Sequence, residues 1–142
     1  MMVLDASVAV KTYLEEAGSE TATELLAGPT KLLAPELIRL EVAGALCRRV
    51  RKGELAAGEA EIRCGHWLSE LDKGLFTLTP DRDLLPEALA LATKLKHALH
   101  DCLYLAVAIR FHAPLVTADR TFHERARPLY KKVSLLKGCE GN

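Results

Sequence analysis

The segment that decides the fold spans residues 100–111 and reads His-Asp-Cys-Leu-Tyr-Leu-Ala-Val-Ala-Ile-Arg-Phe. Residues 102–109 carry no charged side chain, so a helix formed by them is apolar on every face. Because such a helix is stable only when protein surrounds it, the segment predicts a central buried helix. Its acid, Asp101, stands in the first turn and therefore near the interior. Taken alone, Asp101 is explained as an acid that caps the helix and complements its dipole.

Short apolar segments on either side of this helix predict strands, and longer helical segments separate them. The predicted strands are Met2–Leu4, 31–34, 76–78, 114–117 and an edge strand at 133–136. The predicted helices are 8–14, 19–26, 35–51, 57–71, 83–96 and 121–127. This alternation is typical of a three-layer α/β/α sandwich with a mainly parallel, short-stranded central sheet. We expect one domain over residues 1–142, with 138–142 as a frayed tail.

Composition excludes several classes of protein. Lys and Arg total 19, as do Asp and Glu, so no net charge attracts nucleic acid or a membrane surface. The four cysteines are widely spaced without a Cys-x-x-Cys pair, which argues against a structural zinc site. Their apolar neighbours predict reduced, mostly buried thiols in a cytoplasmic protein. The longest apolar run falls short of the roughly 20 residues that span a bilayer, and no leader is expected because strand residues begin at Met2.

Acidic residues follow two of the predicted strands directly. Asp5 comes after strand 2–4 and Asp119 after strand 114–117, and parallel strands end at the same edge of a sheet. If these strands are neighbours, both acids converge there, with Asp101 arriving from the central helix. Glu41 lies at the border of the apolar stripe of helix 35–51. Its simpler explanation is a solvated acid that pairs with Arg48 or Arg49 on the same helix.

Carboxylates packed together repel one another, and a divalent cation relieves that repulsion. Oxygen ligands without cysteine or histidine suit Mg²⁺ or Mn²⁺ better than Zn²⁺. Ions of this kind catalyse attack of water on phosphodiesters. His97 and His100 have a spacing that could bind metal, but they straddle a helix junction, so we expect no such site.

Several other side chains have two interpretations. The simplest interpretation of Ser7 is a helix N-cap. The simplest interpretation of Tyr104 is a core residue, although its ring could stack on a base. Arg48, Arg49 and Arg51 form a positive helix end that is either solvated or able to hold a phosphate backbone.

Two alternative enzyme classes are disfavoured by the residues present. The order Asp5-Ala6-Ser7 resembles that of aspartyl phosphotransferases, but these carry Asp where Ser7 stands. A P-loop nucleotide enzyme is disfavoured because the chain has no Gly-x-x-x-x-Gly-Lys-Ser/Thr motif.

Four segments, taken together and in order, resemble the PIN domain family, in particular its VapC-like ribonuclease toxins of prokaryotic toxin–antitoxin pairs. They are Met2-Val3-Leu4-Asp5-Ala6-Ser7, Leu37-Ile38-Arg39-Leu40-Glu41-Val42, His100-Asp101-Cys102-Leu103-Tyr104-Leu105-Ala106-Val107-Ala108 and Leu115-Val116-Thr117-Ala118-Asp119-Arg120-Thr121-Phe122.

The resemblance implies a site, an activity and partners. Asp5, Glu41, Asp101 and Asp119 would be the acidic quartet around Mg²⁺ or Mn²⁺ of an endoribonuclease. Ser7 and Thr117 would be hydroxyls that support the site. The family further implies a homodimer inhibited by a small DNA-binding, VapB-like antitoxin. The alternative is a catalytically silent module that keeps the fold and binds RNA or an antitoxin.

Overall fold

Five strands form one parallel sheet with the order β3-β2-β1-β4-β5. The computed structural model describes residues 1–140. The strands are β1 (Met2–Leu4), β2 (Leu32–Pro35), β3 (Phe76–Thr79), β4 (Leu115–Thr117) and β5 (Val133–Leu135). All four strand pairs are parallel and β5 lies at an edge, so the predicted three-layer fold with a short-stranded parallel sheet is confirmed.

Helices cover both faces of this sheet. They are α1 (Ala6–Ala9), α2 (Ser19–Ala27), α3 (Ile38–Arg51), α4 (Ala57–Asp72), α5 (Asp81–Leu95), α6 (Leu99–Phe111) and α7 (Arg120–Ala126). The chain moves one way from β1 to β3 and then crosses back to β4 and β5. Because crossovers between parallel strands are right-handed, α1 to α4 cover one face and α5 to α7 the other.

Helix α6 is the buried element predicted from its uncharged sequence. All seven residues from Cys102 to Ala108 are buried. The helix packs against β1, β2 and β4 on one side and against α5 on another. The middle turns of α6 carry no charge because protein surrounds them on all sides. The same packing fixes the position of Asp101 in the first turn of α6.

Three predicted helix starts are wrong, one of them that of α5, which begins at Asp81 and not at residue 83. The first helix begins at Ala6, not at residue 8, and its N-cap is Asp5 instead of Ser7. Asp5 has extended backbone at the end of β1, whereas Ser7 is already helical. Helix α3 begins at Ile38 because Pro35 stays in the sheet, paired with Thr79.

The expectation of mostly buried thiols is also wrong. Cys102 is buried, but Cys47 is exposed, and Cys64 and Cys139 are partly exposed. Cys47 and Cys64 line a surface groove between α3 and α4, which these helices do not close. All four thiols are free within residues 1–140.

The predicted tail at 138–142 is only partly described. The Gly138 N–H donates to Glu140 Oε2 at 2.8 Å, and Arg120 donates to the Glu140 carbonyl. Residues 141 and 142 lie outside the described residues. In the described part of the chain, no helix combines the length and apolar character needed to cross a membrane.

Candidate active site

Strands β1 and β4 are hydrogen-bonded neighbours, which brings Asp5 and Asp119 to the same edge of the sheet. Each acid is the N-cap of the helix that follows its strand. Asp5 Oδ1 accepts from the Val8 N–H at 3.3 Å, and Asp119 Oδ1 accepts from the Phe122 N–H at 3.1 Å. The strand ends therefore hold both carboxylates in place with backbone hydrogen bonds.

Two hydroxyls connect these acids. Ser7 Oγ donates to Asp5 Oδ1 and accepts from the Ala118 N–H at 2.9 Å. Thr117 Oγ1 lies 3.4 Å from Ser7 Oγ and accepts from the Asp119 N–H at 3.0 Å. Ser7 and Thr117 thus link the ends of β1 and β4 directly behind the carboxylates.

Asp101 and Glu41 reach the same place from helices. Asp101 lies in the first turn of α6, where its Oδ2 is 2.6 Å from His97 Nε2. Glu41 Oε1, on α3, accepts from the Tyr104 hydroxyl at 2.8 Å. The alternative pairing of Glu41 with Arg48 or Arg49 is not formed within residues 1–140, where Arg49 pairs with Glu16 and Glu54.

All four acids line one cleft of about 270 Å³. The other polar residues that line it are Ser7, Arg48, His100 and Tyr104. The sequence thus identified four acids that folding brings together from α3, α6 and the ends of β1 and β4.

Burial makes this cleft unfavourable for ionised carboxylates. Asp5 is 3% exposed, and burial raises its pKa to about 7. The hydrogen bonds from Ser7 and Thr117 oppose this shift, while the charge of Asp101 adds to it. Burial also raises the pKa of Glu41. The four acids are oxygen donors, and Arg48, the permanent cation among the described residues that line the cleft, can balance only one of them, so they fit a hard divalent cation such as Mg²⁺ or Mn²⁺.

A second cleft, of about 290 Å³, adjoins the first and is basic. Both clefts share Ser7, Arg48 and Asp119, and the second adds Lys11, Arg49 and Lys52. Lys11 and Arg49 both pair with Glu16, at 3.0 and 2.6 Å. Two of the three predicted arginines, Arg48 and Arg49, therefore line the clefts, whereas Arg51 lines neither.

Sequence reasoning missed several of these residues. Tyr104 is buried as expected, but its hydroxyl reaches the cleft, and its spacing of three from Asp101 could have indicated a shared helix face. His97 pairs with Asp101, four residues later in the chain, whereas the sequence pattern indicated only its spacing from His100. Lys11 reaches the basic cleft from a different element, which no local pattern could show.

Comparison with known proteins identifies the family. The model of the PIN domain matches residues 2–128. The chain belongs to the PIN domain family. Ribonuclease VapC3 of Pyrobaculum aerophilum is 31% identical over 126 residues, which is 87% of this chain and 93% of that protein. The predicted similarity to VapC-like members is thereby confirmed.

A solved structure agrees at the level of the fold. A chain in a toxin–antitoxin complex from Klebsiella pneumoniae superposes with a TM-score of 0.62, over 94% of this chain and 96% of that one. The two sequences are 14% identical, so the likeness concerns the arrangement of helices and strands.

The buried carboxylate of Asp5 predicts that the metal-free protein loses stability as pH rises. Its pKa is about 7 in the folded chain against 3.8 for the free group, so the folded state holds the extra proton between these values. Unfolding free energy should therefore fall between about pH 4 and about pH 7, by on the order of 4 kcal/mol. Asp5→Asn should remove most of this slope in urea denaturation with EDTA.

Asp72→Asn, at an exposed position of α4, is the matched control and should keep the wild-type slope. An unchanged slope in Asp5→Asn would show that another group carries the pH dependence.

Proposed function

We propose that this protein is a Mg²⁺- or Mn²⁺-dependent endoribonuclease and the toxin of a VapBC-type pair. The observation that carries the proposal is the convergence of Asp5, Glu41, Asp101 and Asp119 on one cleft. The relative named Ribonuclease VapC3 supports RNA as the substrate class. A bound ion of this class neutralises phosphate charge and makes water a better nucleophile.

The residues of the cleft would have two roles, as ligands of the cation and as supports for those ligands. Asp5, Asp101 and Asp119 are the nearer candidate ligands, and Glu41 is the more distant one. Ser7 and Thr117 hold Asp5 and Asp119 through the hydrogen bonds between the strand ends. The proposed catalytic role requires the acids to be ionised, and burial opposes this at Asp5 and Glu41 until a cation compensates their charge.

The basic cleft supplies a place for the RNA backbone next to the acids. Within residues 1–140, neither Arg48 nor Lys52 forms an ion pair, whereas Lys11 pairs with Glu16 and Arg49 pairs with both Glu16 and Glu54. Arg48 lines both clefts, so a phosphate bound to it would lie beside the acidic group. We therefore propose Arg48 and Lys52 as the backbone contacts, with Arg49 contributing less.

Asp101→Asn should abolish RNA cleavage, because an amide is a much poorer ligand for a hard cation. The substitution preserves the shape of the side chain and its capacity to accept from His97. Cleavage of a single-stranded RNA in Mn²⁺ should fall at least about 100-fold, in line with loss of a group that acts in the transition state. The measurement is gel electrophoresis of labelled RNA over time.

Asp72→Asn again serves as control and should cleave at the wild-type rate. If the wild-type protein binds RNA but leaves it intact in Mn²⁺, and Asp101→Asn behaves identically, the result would instead support the silent binding module.

Arg48→Ala and Lys52→Ala should each weaken RNA binding and reduce its salt dependence. In an Asp101→Asn background, which keeps the RNA intact, each variant should lower the slope of log affinity against log salt by about 0.7. Fluorescence anisotropy with a short labelled RNA measures both quantities. Lys73→Ala, at an exposed lysine that lines neither cleft, should leave affinity and slope unchanged. Unchanged slopes in both cleft variants would contradict the proposed backbone path.

We also propose that a small VapB-like antitoxin binds the apolar groove between α3 and α4. Ala43, Leu46, Cys47 and Val50 line one wall, and Ala57, Ala60 and Cys64 line the other. A groove of this composition accepts the apolar face of an amphipathic helix. The toxin–antitoxin complex with the same fold supports a partner of this kind.

Cys47→Asp should reduce antitoxin binding at least about tenfold, because it places a charge in an apolar contact. The antitoxin to test is the product of a short neighbouring reading frame, co-expressed and then titrated by calorimetry. Ala90→Asp, exposed on α5 in the opposite layer, should bind normally. If Cys47→Asp binds the antitoxin as tightly as Ala90→Asp does, the antitoxin binds outside the groove between α3 and α4.

We further propose a cytoplasmic homodimer. Leu85 and Leu89 are exposed one turn apart on α5, and burial of such a stripe favours association. Four free thiols suit a reducing compartment.

A further inference from the structure

His97 connects the proposed metal site to helix α7. It follows Lys96, the left-handed C-cap of α5, and its side chain is 8% exposed. Its Nε2 lies 2.6 Å from Asp101 Oδ2. The other side of the ring stacks on Phe122, with the ring centroids 5.1 Å apart and the planes 16° from parallel. His97 is therefore held between an acid of the cleft and the helix that Asp119 caps.

The neighbours of the imidazole determine which nitrogen carries the proton. Arg125 Nη1 lies 3.5 Å from His97 Nδ1 and also donates to the Lys96 carbonyl at 2.6 Å. A guanidinium can only donate, so its contact with Nδ1 favours the form of the ring in which Nδ1 accepts and Nε2 carries the proton. The Nε2–H group then donates to Asp101 Oδ2, and Oδ1, which lies 3.6 Å from His100 Nε2, is the oxygen left to bind a ligand.

A direct role of His97 as a metal ligand fits less well. Ligand atoms of His97, Asp101 and Asp119 all lie within 4.8 Å of one another, which is close enough to surround an ion. However, both ring nitrogens already have partners, and a separation of 2.6 Å between Nε2 and Oδ2 leaves no room for an ion between them. The contact is a hydrogen bond to a candidate ligand.

We propose that His97 is a positioning residue that fixes the Asp101 carboxylate for metal binding. This inference rests on the proposed function, because it assigns a role within the same site. A hydrogen bond to one carboxylate oxygen holds the side chain in a single orientation, so less freedom is lost when the other oxygen binds an ion. Loss of such an outer contact typically weakens metal affinity about 10- to 100-fold.

Two substitutions distinguish the effect of the Nε2–H hydrogen-bond donor from the effect of the packed imidazole ring. His97→Phe keeps a ring that can stack on Phe122 but removes the donor. His97→Gln removes the ring but can place an amide N–H near the position of Nε2. In calorimetric titration with Mn²⁺, we expect His97→Phe to bind at least about tenfold more weakly and His97→Gln to stay within about threefold of wild type. His66→Phe, at an exposed histidine on α4, should bind as wild type does.

If His97→Phe binds Mn²⁺ as tightly as wild type, the proposal is overturned. An equal loss of Mn²⁺ affinity in both variants would also overturn it, because that result would indicate a role in packing or direct ligation. A metal-free test uses nitrogen-15 spectra of the imidazoles, where the Nε2–H form of His97 supports the proposal and the Nδ1–H form overturns it. This test also decides the case if His97→Phe folds poorly. Wild-type protein that binds Mn²⁺ but leaves RNA intact would refute only the proposed activity, whereas absence of Mn²⁺ binding would refute both.

Discussion

The pairing of β1 with β4 is the contact on which the candidate site depends. It sets two strand ends side by side and thereby brings two carboxylates, Asp5 and Asp119, to one edge of the sheet. Helix α6 can be apolar on all sides only because β1, β2 and β4 and its helical neighbours enclose it, and that enclosure places Asp101 beside the same edge. The core and the site are thus products of one packing arrangement.

Like charges brought together in this way must be held against their own repulsion. Asp5 and Asp119 each serve as a helix N-cap, so backbone N–H groups offset part of the cost of burying them. The Ser7 and Thr117 hydroxyls offset more of it, yet burial still dominates at Asp5. The fold therefore tolerates a residual electrostatic cost at this edge, as sites that bind cations commonly do.

Sequence patterns revealed the parts of the structure that depend on local periodicity or on strand ends. The uncharged run of α6, the five strands and the positions of Asp5 and Asp119 are of this kind. The predicted start of α3 is wrong because a tertiary contact decides it: the Leu37 N–H finds its acceptor in Asp81, on a distant helix. The pairing of Arg49 with Glu16 also joins residues far apart in sequence, so helix spacing suggested the wrong partner.

A chain without net charge can still hold a polyanion if its charges are separated locally. Here the acids line one cleft and the cations line its neighbour, and Arg48 lies at both. Glu16 and Glu54 together balance Lys11 and Arg49, so the free positive charge at the second cleft is carried by Arg48 and Lys52. Without a cation the acidic cleft would repel a phosphate that the basic cleft attracts. Under the proposed function, ion binding and RNA binding at this site should therefore be coupled, because each reduces the electrostatic cost of the other.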